Sequence, residues 1–123
     1  MRMKKPKYSI FKRLSYAFAG LAEITKHEKS FQLQLFFFVL MSFVAWTLPT
    51  TFFLHALLWL SLFFPIMAEI MNSAIERAVD LVTSEYNILA KYAKDAGAAL
   101  VLVSIIFTGF VWIAVLLQVF LLA

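Results

Sequence analysis

Residues 30–68 read SFQLQLFFFVLMSFVAWTLPTTFFLHALLWLSLFFPIMA and contain no Asp, Glu, Lys or Arg. An α-helix rises about 1.5 Å per residue, so this stretch is long enough to cross a hydrocarbon layer of roughly 30 Å twice. Pro49 interrupts it and divides it into two apolar segments, 31–48 and 52–75, of which the second runs on past residue 68. The stretch therefore predicts two membrane-spanning helices joined by a short turn.

The end of the chain repeats this pattern. From residue 96 onward there is again no charged side chain, which predicts a third span at about 96–121. Pro65 lies inside the second span, where it is tolerated if a neighbouring helix satisfies the carbonyl that it leaves free. We expect the spans to form one membrane domain of residues 1–123.

The overall composition supports this interpretation. Of the 123 residues, 63% are hydrophobic and 15% are charged, whereas soluble domains carry about 25% charged residues. This excludes an ordinary soluble enzyme. The sequence has no cysteine, which excludes a disulfide framework and a thiolate nucleophile. We therefore predict an all-α integral membrane protein.

The N-terminal segment is basic, with eight Lys or Arg side chains against two Glu in residues 1–29. Its apolar residues recur at helical spacing: Phe11, Leu14, Phe18 and Leu21. A basic helix with such a stripe is typical of a helix that lies on a membrane surface. We predict an amphipathic surface helix at 7–28, and the alternative is a basic tail that only sets the topology.

Basic residues also set the expected orientation. A second group of them, including Arg77, Lys91 and Lys94, lies in a segment that we predict to be a loop at 77–95. Because basic residues near membrane spans stay on the cytoplasmic side, both the N-terminus and this loop should be cytoplasmic. Three spans then place the C-terminus outside.

Polar residues follow one face of the second span and its continuation. Glu69, Asn72, Glu76 and Asp80 are separated by three, four and four residues, and with Ser73 they fall within an arc of about 100° on a helix. A carboxylate inside a span is costly unless it faces protein or a wet cavity, so Glu69 is a functional candidate. The alternative for Glu76 and Asp80 is a role as solvated charges at the membrane edge.

A metal site is also suggested. Glu28 precedes the first span and should lie at the same height as Glu76. Mg²⁺ is commonly held by one or two carboxylates together with substrate phosphates, which such a pair would suit. The alternative for Glu28 is a charged residue that merely flanks Lys26 and Lys29. The chain has three glycines and no Gly-rich phosphate loop.

These residues resemble a known family, the prokaryotic diacylglycerol kinases, which are small three-span membrane enzymes. The motifs that carry the resemblance are Glu69-x-x-Asn72-Ser73-Ala74-x-Glu76-x-x-Val79-Asp80, Ser84-Glu85-Tyr86 and Ala93-Lys94-Asp95-x-Gly97-x-Ala99. The resemblance implies phosphorylation of a lipid hydroxyl with ATP and Mg²⁺ in a bacterial inner membrane, without nucleic acid. It also implies a homotrimer whose active sites form between subunits.

The resemblance further implies roles for individual residues. Glu69 is expected to be the general base, and Glu28 and Glu76 the metal ligands. The expected nucleotide contacts are Tyr16, Glu28, Glu76, Glu85, Tyr86, Asn87, Lys94 and Asp95. The expected lipid contacts are Glu69, Asn72, Ser73, Ala98 and Trp112.

Two positions depart from the family pattern. Ser9 stands where many diacylglycerol-specific members have Arg, and Gln34 stands where an acidic residue is common. The family also includes undecaprenol kinases, so undecaprenol is the alternative to diacylglycerol as substrate. Two other classes of protein fit part of the pattern: a small oligomeric channel or proton relay, and a non-catalytic membrane subunit that packs through its small residues.

Overall fold

The computed structural model describes residues 9–122, most of which are helical. The five helices are α1 (Ile10–His27), α2 (Lys29–Thr47), α3 (Phe52–Ser61), α4 (Phe63–Val82) and α5 (Ile88–Phe120). No strand occurs in this part of the chain. Three helical stretches are long and apolar enough to cross a membrane: Lys29–Thr47, Phe52–Val82 and Ile88–Phe120. The prediction of an all-α protein with three spans is confirmed.

Helix α1 is the amphipathic helix expected near the N-terminus. The hydroxyl of Ser9 caps it by accepting a hydrogen bond of 3.2 Å from the amide of Lys12. None of the α1 residues, all of which are described, is buried. The predicted helix began at residue 7, and residues 7 and 8 lie outside the described residues.

A sharp elbow at Glu28 joins α1 to α2. Glu28 has an extended backbone (φ −107°, ψ 110°), and the helices end and begin on either side of it. The side chain of Gln32 donates a hydrogen bond of 2.9 Å to the carbonyl of Thr25. Since the last carbonyls of a helix have no partner within it, this bond closes the elbow. The elbow places the Glu28 side chain beside α4.

The second span is interrupted between Ser61 and Phe63, so α3 and α4 together form one crossing. Pro65 has no N–H with which to bond the carbonyl of Ser61, four residues earlier. The hydroxyl of Thr108 on α5 donates to that carbonyl at 2.9 Å, and Thr108 is buried. The expectation that a neighbouring helix would satisfy this group is confirmed.

The buried core lies beside this interruption. Its members come from α2, α3, α5 and the Leu62 junction: Ala45, Leu58, Leu62, Trp112 and Val115. Helix α5 also packs along most of α4. The core fixes the three crossings relative to one another and so holds the polar face of α4 against α2 and α5.

The prediction of a loop at 77–95 is wrong. Helix α4 continues to Val82 and α5 begins at Ile88, so the connection is residues 83–87. Asn87 caps α5, because its side-chain oxygen accepts hydrogen bonds from the amides of Leu89 (2.9 Å) and Ala90 (3.3 Å). The charged residues of the segment did not indicate a loop, since helices satisfy their own backbone groups at a membrane edge.

Replacing Thr108 by Val should leave the Ser61 carbonyl without a partner. We expect a loss of about 0.6–1.5 kcal/mol in the free energy of unfolding, measured in mixed micelles of mild detergent and dodecyl sulfate. In a Pro65→Ala background the loss should shrink, because the new amide at residue 65 bonds the same carbonyl. An equal loss in both backgrounds would contradict this assignment.

Candidate active site

Glu69 is the centre of the polar face of α4. It is 5% exposed, and it is the one acidic side chain in residues 9–122 that is buried. Ser30 donates a hydrogen bond of 2.7 Å to one of its carboxylate oxygens, and Gln34 donates one of 2.9 Å to the other. Both donors belong to α2. The carboxylate is therefore buried with a partner on each oxygen, as a buried charge requires.

Asn72 lies one turn further along α4 and is 8% exposed. Its amide nitrogen donates to Glu76 at 3.3 Å, while its amide oxygen is buried without a partner. Gly97 on α5 packs directly against this side chain, where a Cβ would collide with the Asn72 amide oxygen. Gly97 therefore allows α5 to approach α4 at Asn72.

The residues expected to contact the lipid do not lie together in one place. Ser73 is buried beside Asn72, Ala98 is exposed on α5, and Trp112 is buried in the core, where its indole N–H has no hydrogen-bond partner. Trp112 lines an apolar groove of about 300 Å³, and a second groove of about 240 Å³ begins at Gln34. The two grooves share four lining residues, Met41, Leu62, Pro65 and Ile105. An apolar path thus leads from the Glu69 region to Trp112.

Five of the expected nucleotide residues meet at the end of the bundle. They line a cleft of about 410 Å³ between the end of α4 and the start of α5: Glu85, Tyr86, Asn87, Lys94 and Asp95. Lys94 pairs with Asp80 at 2.6 Å, and Lys91 pairs with Asp95 at 2.6 Å. The cleft therefore presents two cations beside solvent-exposed carboxylates.

The other three expected nucleotide residues, Tyr16, Glu28 and Glu76, do not line this cleft. Tyr16 is half exposed on α1. One oxygen of Glu28 accepts hydrogen bonds of 3.1 and 2.8 Å from the Arg77 guanidinium, which also pairs with Glu23. The hydrogen bond from Arg77 holds the pKa of Glu23 below its usual value of 4.5. Arg77 therefore links α1 and the elbow to α4.

The residues expected to hold Mg²⁺ have separate partners in a single chain, since Glu28 bonds Arg77 and Glu76 accepts from Asn72. Residues 9–122 contain no group of three or more His, Asp or Glu side chains arranged to hold a metal ion. A site of one or two carboxylates completed by phosphate oxygens needs no such group. The amide nitrogen of Asn72 faces Glu76, whereas its unpartnered oxygen is buried against Gly97.

Sequence reasoning missed three site residues. Ser30 and Gln34 were not recognised as partners of Glu69, and Arg77 was used only to orient the chain. A signal for the first two was present, because polar residues four apart in an uncharged apolar stretch share one helix face. No sequence signal pairs Arg77 with Glu28, because the contact depends on the elbow.

Comparison with known families gives a match over most of the chain. Residues 15–116 match the family model described as "Prokaryotic diacylglycerol kinase". The chain belongs to this family. The resemblance noted from the sequence is thereby confirmed, and as a member of the family the protein is a lipid kinase of the membrane.

Individual relatives cover most of the chain. A protein of Helicobacter pylori strain J99 is 37% identical over 107 residues, which are 84% of this chain and 80% of the relative. One of Escherichia coli K12 is 35% identical over 103 residues, 84% of both chains. One of Pseudomonas aeruginosa is 31% identical over 108 residues, 88% of both. All three carry the name "Diacylglycerol kinase".

The ion pair between Glu23 and Arg77 should make the position of α1 sensitive to acid. Because the pKa of Glu23 is lowered, the contribution of this ion pair to holding α1 against α4 is complete above pH 4.5. It is lost as the pH falls through the lowered pKa. Spin labels on cysteines introduced at Ala19 and Leu81 should give a narrow distance distribution at pH 7 that broadens in acid.

Arg77→Gln should broaden that distribution already at pH 7, because it removes the partner of both Glu23 and Glu28. Lys12→Gln is the matched control, since it removes a positive charge from α1 outside this cluster. A distribution that Arg77→Gln leaves narrow would contradict the proposed link between α1 and α4.

Proposed function

We propose that the protein transfers the γ-phosphoryl group of ATP to the hydroxyl of a membrane lipid, and that this lipid is diacylglycerol, with phosphatidic acid as product. The observation that carries the proposal is the buried, hydrogen-bonded Glu69 on the same helix face as Asn72, Glu76 and Asp80. This face leads from the apolar part of the bundle to the cleft around Lys94. The name shared by the relatives supports the choice of diacylglycerol.

Glu69 is proposed as the general base. Glu69 lies seven positions before Glu76, which is about 10 Å along a helix. Its carboxylate is thus set back from the charged end of the bundle, and we propose that the lipid hydroxyl reaches it from the apolar part. Removing the proton as the oxygen attacks phosphorus is the task of a general base. The rest of phosphoryl transfer depends mainly on positioning and charge neutralisation.

Glu28 and Glu76 are proposed as the carboxylates that hold Mg²⁺, and Asn72 donates a hydrogen bond to Glu76. When bound, Mg²⁺ neutralises charge on the transferring phosphoryl group. Lys94 is proposed to contact phosphate, since it lines the cleft between α4 and α5, where its ammonium group pairs with Asp80. Tyr16, Glu85, Tyr86, Asn87 and Asp95 complete the proposed nucleotide set.

The apolar path from Gln34 to Trp112 is proposed to take an acyl chain of the lipid. Its lining is apolar apart from Gln34 and Thr108. This suits a hydrocarbon chain whose hydroxyl end remains near Glu69. Ser73 and Ala98 complete the proposed lipid contacts on α4 and α5.

We propose that the working enzyme is a homotrimer with sites between subunits, as in the family pattern. Tyr16 and Glu28 lie outside the nucleotide cleft of their own chain, which supports completion of each site by a second copy. The proposed orientation places the N-terminus and residues 83–87 in the cytoplasm of a bacterial cell, where ATP is available, and the C-terminus outside.

Two alternative functions of other classes explain fewer of the structural observations than a lipid kinase does. A channel or proton relay would account for Glu69 and Asn72 on an inward face. A packing subunit would account for Gly97 against Asn72. Neither calls for the cleft that gathers Lys94, Asp95 and the Glu85–Asn87 turn.

Separate substitutions should distinguish the proposed roles. Glu69→Gln should lower kcat by about 10²–10⁴-fold while MgATP binding stays near normal, because only the base is lost. Glu28→Gln and Glu76→Gln should instead weaken Mg²⁺-dependent nucleotide binding, since each removes a ligand of a hard cation. Lys94→Ala should resemble the latter two. Nucleotide binding and turnover are measured on each variant.

Ser104→Ala is the control, because its hydroxyl bonds the carbonyl of Val101 within α5 and the residue lines neither the cleft nor the two apolar grooves. Size-exclusion profiles of all variants separate misassembly from a chemical effect. Near-normal turnover in Glu69→Gln would remove the base assignment. A common loss in all four variants that follows misassembly would favour a purely structural role.

A further inference from the structure

The carboxylate of Glu69 is held from one side by two donors of α2. Ser30 bonds one oxygen at 2.7 Å and Gln34 bonds the other at 2.9 Å. We propose that Ser30 and Gln34 are positioning residues that fix the plane of this carboxylate and aim its free lone pairs at the lipid hydroxyl. The inference rests on the proposed function of Glu69 as the base.

The need for such positioning follows from the side chain itself. Glu has three rotatable torsions, and a single hydrogen bond would leave the carboxylate free to turn about it. A carboxylate offers about four lone-pair sites on two oxygens. One donor on each oxygen fixes the orientation and still leaves acceptor sites for the substrate. Misplacing a catalytic group by about 1 Å can cost 100-fold in rate.

The spacing of the two donors suits this role. Ser30 and Gln34 are four residues apart, so they share one face of α2 directly opposite Glu69. Ser30 lies just beyond the elbow at Glu28, whereas Gln34 lies one turn deeper. The two donors thus bond the carboxylate from positions one helical turn apart along α2. The elbow at Glu28 also sets the position of Ser30.

The side chain of Gln34 lowers the stability of the fold in a way that packing alone does not explain. Its amide nitrogen faces Glu69, but its amide oxygen is buried without a partner. A buried acceptor without a donor destabilises a protein, and an apolar side chain of similar volume would avoid that cost. The hydrogen bond to Glu69 is the interaction that only an amide or another donor supplies.

The experiment measures kcat and the KM for MgATP in lipid vesicles that contain diacylglycerol. Ser30→Ala and Gln34→Met should each lower kcat by about 10- to 100-fold, the effect of losing one hydrogen bond to a charged group, and leave the KM for MgATP unchanged. Ser30→Thr should recover most of the loss, because it keeps the hydroxyl.

Two matched controls lie outside the site. Ser42→Ala removes a hydroxyl on the same helix that bonds only the Phe38 carbonyl within α2. Gln118→Met removes an amide near the end of α5. Both should keep normal kcat. Unfolding free energies and size-exclusion profiles are recorded for every variant.

The deciding measurement is the kcat of double variants that combine Ser30→Ala or Gln34→Met with Glu69→Gln. If Ser30 and Gln34 act through Glu69, their substitution should cause little further loss in a Glu69→Gln background, because the group that they orient is already disabled. Losses that multiply in that background, or an unchanged kcat in Ser30→Ala and Gln34→Met, would overturn the inference. So would a loss that follows unfolding or misassembly.

Failure of the proposed function would be recognised separately. If Glu69→Gln by itself keeps near-normal turnover, then Glu69 is not the base, whatever the substitutions of Ser30 and Gln34 do. If Glu69→Gln loses turnover and Ser30→Ala and Gln34→Met do not, the base assignment stands and only the positioning roles are wrong.

Discussion

The structure depends on burying one carboxylate, that of Glu69, in a bundle made almost entirely of apolar side chains. An unpaired charge in such surroundings is unstable, so the neighbouring helices must supply donors and exclude competing groups. Ser30 and Gln34 on α2 meet this demand directly. The close approach of α5 at Gly97 encloses the same face of α4 from the other side.

Other polar groups of the bundle are also satisfied by a neighbouring helix. Pro65 interrupts the second crossing and frees the Ser61 carbonyl, which Thr108 satisfies from α5. At the charged end, Asp80 and Lys94 pair across α4 and α5, and Arg77 ties Glu28 to α4. The Ser61 carbonyl, Asp80 and Glu28 thus each have a partner on a different helix. These cross-links connect the depth at which Glu69 lies with the cleft at the end of the bundle.

The sequence predicted the three crossings because uncharged stretches of sufficient length leave few other folds. It also predicted the polar face of α4, since helical spacing places Glu69, Asn72 and Glu76 together. It mistook 77–95 for a loop, because charged residues at a membrane edge are compatible with helix and the Asn87 cap was not recognised. The contacts of Arg77 and Gln34 depend on how the helices pack, which periodicity within one helix does not encode.

The central claim is that this buried carboxylate serves phosphoryl transfer from ATP to a lipid. The most direct test supplies γ-³²P-ATP and Mg²⁺ to purified protein in vesicles that contain either diacylglycerol or undecaprenol. Labelled phosphatidic acid is expected in the diacylglycerol vesicles, and no labelled lipid when Mg²⁺ is chelated before the reaction. Label on undecaprenol instead would contradict the choice of diacylglycerol as substrate, and absence of labelled lipid in both vesicles would contradict lipid kinase activity.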